Sequence, residues 1–172
     1  DLAVITHGHA DHARWGMKKY LCHHYTKPIL YKRISEDIEC QSVEYGEVVN
    51  MNGVKVSLHP AGHIIGSAQI RLEYKGYVSV VSGDYKVQDD GLSTPFELVR
   101  CNEFVTESTF GLPIYNWLEV EDLNKKLQSW VLRNKENQKT SVFIGYSLGK
   151  AQRIMKAVEG MGKIHVHYSI GK

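Results

Sequence analysis

Residues 6–12 read Thr-His-Gly-His-Ala-Asp-His, and this stretch constrains the chain more than any other. His7, His9 and His12 bring imidazoles and Asp11 a carboxylate, with only the short Gly8 and Ala10 between them. His7 and His9 are two apart, so on an extended backbone both point to one side. Asp11 and His12 follow at once, so the backbone must turn there to aim both inward. Leu2-Ala3-Val4-Ile5, directly before, is a continuous apolar run with the character of a buried strand. The pattern predicts a core strand ending in a loop that offers metal ligands. Imidazole with carboxylate suits zinc, and manganese or iron as well. A histidine-rich surface loop is the bland alternative, and chance rarely puts this spacing straight after a buried strand.

With 172 residues the chain is long enough for one sizeable core, or a domain and part of another. Its net charge of +2 excludes a polycation, so any grip on nucleic acid must be a local basic patch. Cys22, Cys40 and Cys101 are far apart in sequence and form no C-x-x-C pair, which argues against disulfides and a zinc ribbon. No signal peptide or membrane span is legible, and a cytoplasmic location is expected. The first residue is Asp1, at the edge of a core strand, and the chain reads as a fragment missing segments at both ends.

Along the chain, a helix is expected from Ala13 to Tyr20, with His23 and His24 at a solvated helix end. Pro28 to Tyr31 is a strand candidate, and Ile34 to Cys40 a weak helix or loop. Val54, Val56 and Leu58 alternate with polar residues, which predicts a strand buried on one face. Pro60-Ala61-Gly62 then ends it and presents His63. Ile70, Leu72 and Tyr74 alternate again, Lys75-Gly76 is a hairpin turn, and Tyr77 to Val81 returns as a strand ending in Ser82-Gly83-Asp84. Val99 to Thr106 is a further strand, delivering Glu107. Asn116 is a candidate N-cap for an amphipathic helix carrying Val120, Leu123, Leu127 and Trp130 on one face. Ser141 to Tyr146 and Lys163 to Tyr168 are strand candidates around a helix over Ala151 to Val158. That order predicts an α/β layer with a parallel sheet from Thr109 onward.

The first motif resembles the H-x-H-x-D-H signature of the metallo-β-lactamase superfamily. Ala61-Gly62-His63 and Ser82-Gly83-Asp84 follow in the order of that superfamily's later motifs. Glu107-Ser108-Thr109-Phe110-Gly111 and Ser147-Leu148-Gly149-Lys150-Ala151-Gln152-Arg153 resemble its β-CASP nuclease branch. The wording is similar to that of DNA-ligase-associated exonucleases, proteins described as like mRNA 3′-end-processing factors. The resemblance implies an α/β fold of layered type. It would be a partial αββα sandwich over 1–107, without its N-terminal strands, followed by the start of a β-CASP domain over 108–172. It implies two divalent metal ions, zinc first and manganese as the alternative. His7, His9 and His63 would hold one, Asp11 and His12 the other, and Asp84 would bridge them. A DNA ligase or helicase as partner, and no membrane, also follow from the resemblance.

Two metals about 3.5–4 Å apart supply a hydroxide at neutral pH and neutralise charge on a phosphodiester under attack. Asp11 would also orient the attacking water. By resemblance, Glu107 supports a site histidine from behind, and His167 is a candidate for a later family histidine. Ser147-Leu148-Gly149-Lys150 is not a P-loop, because its glycine spacing is one residue short and Ala151 stands where Ser or Thr is needed. A strand-turn-helix there would still aim backbone N–H groups at an anion. Ser147, Lys150, Gln152 and Arg153 are accordingly expected to contact a nucleic-acid backbone. The expected activity is a metal-dependent DNA exonuclease. A ribonuclease of the same branch, a small-molecule metallo-hydrolase and an inactive scaffold subunit are the competing readings.

Overall fold

The computed structural model describes residues 1–171 and divides the chain into two compact units, with the boundary after Ser108. In the first unit, β1 (Leu2–Val4), β2 (Lys19–His23) and β3 (Glu39–Val43) form an all-parallel sheet in that order. Helix α1 (Lys27–Arg33) makes the crossover between β2 and β3, as a parallel pair requires. β4 (Val48–Met51), β5 (Val54–Pro60), β6 (Ala68–Tyr74) and β7 (Tyr77–Val81) form an antiparallel meander. β8 (Glu103–Val105) joins β7 in parallel at the sheet's edge.

Strand β2 shows how the layers stack. Successive side chains alternate between faces, and here both faces are buried. Tyr20 and Cys22 pack with Ile5, Ala13, Cys40 and, from α1, Leu30. Leu21 points the other way, into a core with Val43, Val56, Leu58, Ala68 and Ile70. So α1 covers one face of the first sheet, and the second sheet packs on the other. Burying each large aliphatic side chain of this seam contributes about 1.5–3 kcal/mol. Cys22 and Cys40, eighteen residues apart in sequence, meet here as free thiols with their sulfurs 3.6 Å apart.

Strand direction then gathers the chemistry. β1, β2 and β3 run in parallel and so end at one rim. In the second sheet β5, β7 and β8 share a direction, so the segments after Pro60, Val81 and Val105 leave one edge. The amide of Ala68, paired with Pro60, donates to the Thr6 carbonyl at 2.7 Å and joins the two rims.

Several expected elements differ. Residues 13–18 are bends and irregular chain rather than helix, and Lys19 and Tyr20 open β2. Gly16 sits at φ +116°, outside the helical region, and the Tyr20 hydroxyl ties back to Arg14 and Met17. Residues 28–31 are helix, not strand. Thr26 is the N-cap, its carbonyl accepts from the Leu30 amide, and Pro28 stands in the first turn, where its missing N–H costs nothing. The strand expected from Val99 shrinks to β8.

In the second unit, α2 (Val120–Glu136) starts after Glu119 rather than at Asn116, and α3 (Lys150–Ala157) follows. The Gln128 amide donates to the Ala157 carbonyl and links them. The expected parallel sheet is not found among the described residues of this unit. A strand exists through its ladder, and residues 141–146 and 163–168 have none, with Val142, Ile144 and Tyr146 exposed. Among the described residues no helix is long and apolar enough to cross a membrane.

Candidate metal centre

The loop after β1 turns as soon as the first histidine pair is placed. The amides of His12 and Ala13 both donate to the His9 carbonyl, at 3.1 and 2.9 Å. That turn brings His12 back beside His7, with ring centroids 4.2 Å apart. His63 comes from the loop after β5, where the Ser67 hydroxyl accepts from the His63 and Ile64 amides. Asp84 follows β7 through Gly83, whose φ of +56° is the left-handed region that glycine enters without strain. A Cβ on Gly83 would lie 2.6 Å from the Thr6 Cβ, so only glycine lets the two segments approach this closely.

Two donor sets result. His7, His9, His63 and Asp84 bring one ligand atom each into a single cluster. His9 Nδ1 is 3.1 Å from His7 Nε2 and 3.3 Å from His63 Nε2. Asp84 Oδ2 is 3.7 Å from His7 Nε2 and 3.6 Å from His63 Nε2. A tetrahedral zinc shell has donor–donor edges of about 3.3 Å, so both the spacing and the chemistry of this set fit a metal ion. The other carboxylate oxygen, Asp84 Oδ1, faces His12 Nε2 at 3.3 Å, and His12 Nε2 is 3.6 Å from Asp11 Oδ2. One carboxylate thus addresses two donor groups.

Electrostatics favour the ligating form. His7 is fully buried. Burial first, then the neighbouring His12, His63 and His9, push its pKa down to about 2. Burial also holds His63 below the ordinary imidazole range, against the opposing pull of Asp84. Both are therefore neutral near pH 7, as a metal requires. A folded His7 takes its proton only near pH 2, whereas an unfolded chain takes it near 6.5. The stability of the metal-free fold is therefore full above about pH 6.5 and is lost as pH falls toward 2. Denaturant midpoints at about pH 7.5 and about pH 5 should show this drop, and equal midpoints would contradict it.

Thr6 is a participant that motif reading passed over. Its hydroxyl lies 3.2 Å from His7 Nδ1 and 3.3 Å from His12 Nδ1, so one side chain orients a histidine of each set. The signal was its place directly before the first histidine. Glu107 follows β8 as Asp84 follows β7, on the same sheet edge, and is half-buried.

The remaining candidates lie in the second unit. Gln152 is engaged by its own loop, accepting from the Gly149 amide at 2.7 Å and donating to the Ser147 carbonyl at 2.9 Å. The Ala151 amide is taken by the Tyr146 carbonyl. Those two amides therefore do not face an anion, and Lys150 and Arg153 remain as charged donors. Lys150 Nζ sits 5.1 Å from the centroid of the Tyr146 ring. His167 is exposed, with Nδ1 2.9 Å from the Ser169 hydroxyl.

Fold and site define a mixed α/β protein with a clustered histidine–aspartate centre at the rims of two packed sheets. No protein-family model matches the chain. It is 27% identical over 159 residues to a probable DNA ligase of Opitutus terrae, covering 91% of this chain and 16% of that protein. It is 25% identical over 179 residues to an RNase J-like protein of Methanocaldococcus jannaschii, covering 90% and 42%. It is 31% identical over 120 residues to cleavage and polyadenylation specificity factor subunit 3 of Dictyostelium discoideum, covering 67% and 15%. A solved protein of unknown function from Enterococcus faecalis shares the fold at TM-score 0.61 and 15% identity, over 92% of this chain and 44% of that one. These similarities are consistent with the β-CASP branch of the metallo-β-lactamase superfamily. It spans less than half the length of each of these curated relatives.

Proposed function

We propose that the protein is a metal-dependent nuclease that hydrolyses phosphodiester bonds, acting on DNA as an exonuclease. The observation that carries the reading is Asp84, whose two oxygens face separate donor sets, Oδ2 toward His7 and His63 and Oδ1 toward His12. In this reading His7, His9, His63 and Asp84 hold one divalent cation, and Asp11, His12 and Asp84 hold a second. Bound zinc or manganese would supply Lewis acidity toward a phosphoryl oxygen and make water acidic enough to ionise near neutral pH.

The chain's own residues then have distinct tasks. Thr6 orients His7 and His12. Asp11, with an exposed side chain, is assigned the orientation of the attacking water. Glu107 is assigned the support of a site histidine. Lys150 and Arg153, beside Ser147 and the self-engaged Gln152, are assigned to the substrate backbone. DNA is favoured by the similarity to a probable DNA ligase over most of the chain. A ribonuclease is the second reading, favoured by the relatives named RNase J-like and RNase aCSPSF2.

End-labelled single- and double-stranded DNA and RNA, incubated with protein and zinc or manganese, test this reading. Stepwise shortening of DNA is the expected result. Shortening of RNA alone moves the protein to the second reading, and intact substrates with metal content verified reject both. Lys150→Ala is expected to weaken polymer binding and lower its salt slope by about one, with less effect on a small phosphodiester. An equal loss on both substrates would place Lys150 in the chemistry or the fold.

A further inference from the structure

We propose that His23, His24 and Glu44 form a second, separate binding site for a zinc-class divalent cation. The site is built by parallel strand ends. His23 is the last residue of β2 and pairs in register with Val43 of β3, so Glu44 emerges beside it. The His24 amide donates to the Val43 carbonyl at 3.1 Å and keeps the next side chain at the same end. A solvated helix end, the reading from sequence, is thereby replaced by a strand end in which His23 is fully buried.

The donor atoms converge. One nitrogen of each imidazole and a Glu44 carboxylate oxygen lie within 4.8 Å of one another. His24 Nδ1 is 2.9 Å and His23 Nε2 3.9 Å from Glu44 Oε2. Both nitrogens are buried, and neither has a hydrogen-bond partner among the described residues, the short His24–Glu44 contact being misaligned for one. A buried nitrogen without a partner is costly, and a cation at their meeting point removes the cost for both. Burial, with His24 beside it, pushes His23 down to about 4, so it is neutral and ready to ligate at pH 7. Two imidazoles and one carboxylate are a donor set suited to zinc, leaving a further position for water. No residue is shared with the His7–Asp84 centre.

Its position suggests what a bound ion does. His23 stacks on Tyr45 with centroids 3.7 Å apart. The Tyr45 hydroxyl donates to the Ser67 carbonyl, and the Ser67 hydroxyl holds the His63 amide. A cation at His23 therefore braces the loop that presents His63.

Zinc titration by calorimetry, with the wild-type chain, Glu44→Gln and His24→Ala side by side, tests the site. Glu44 is largely exposed, so its substitution does not threaten the core. The wild type should bind one zinc equivalent that each variant loses or binds at least tenfold more weakly. Crystals soaked in zinc should show an anomalous peak between His23 and His24. Identical titrations for all three proteins, or a zinc-saturated crystal with only water at this position, would overturn the proposal. Either result leaves the nuclease reading untouched, because Glu44→Gln preserves every ligand of the other centre.

Discussion

Asp84→Ala is expected to empty both halves of the His7–Asp84 centre at once. Among the described residues Asp84 alone has two oxygens that face both donor sets. Loss of a supporting residue behind a metal ligand costs 10–100-fold in activity or affinity, so loss of the shared ligand should cost more than about 100-fold. His12→Ala should behave differently. It removes a donor from the Asp11 side and leaves His7, His9, His63 and Asp84 in place. Metal content by mass spectrometry, in a Glu44→Gln background so that the His23 cluster does not contribute, separates the two. One equivalent retained in His12→Ala and none in Asp84→Ala is the expected pattern. An Asp84→Ala protein with full metal content and activity would remove the shared-ligand assignment.

Gly83→Ala is expected to be strongly damaging to the first unit. Two costs combine there. The φ of +56° charges a non-glycine residue about 1–2 kcal/mol. The new methyl would also meet the Thr6 side chain at 2.6–2.8 Å, and forcing an extra carbon into a packed site costs about 1–3 kcal/mol more. A melting point about 10 °C lower or more follows for a unit of this size. Gly76→Ala is the control. It has a similar positive φ of +82° but meets nothing within 4 Å, so only the backbone cost applies. Equal melting points for the two variants would show that the Gly83–Thr6 contact does not constrain the centre.

The centre was legible where its information is local. His7, His9, Asp11 and His12 lie within one turn after a strand, and period-two alternation marked β5 to β7, which deliver His63 and Asp84. The misread elements share a cause. Pro28 stands among apolar neighbours of strand character, although Thr26 and Pro28 together form a helix start. Gly16 lies inside a helical pattern that its own conformation forbids. The stretches at 141–146 and 163–168 have strand composition, but a ladder depends on a partner that composition does not supply. In sequence His23 and His24 fall at an expected solvated helix end, where adjacent side chains diverge. Their convergence depends on a strand end and on Glu44, which only the β2–β3 pairing brings near. Gln152 looked like a ligand donor because its engagement by Gly149 and Ser147 is a property of the folded turn.

Phosphodiester hydrolysis is expected to depend on metal held by the clustered histidines and aspartates. The most direct measurement strips the protein with chelator, restores zinc or manganese in measured equivalents, and follows cleavage of a chromogenic phosphodiester at each step. Activity should be absent in the stripped protein and return as the His7–Asp84 centre fills. Undiminished activity in demonstrably metal-free protein, or none in protein with the centre fully loaded, would contradict the claim.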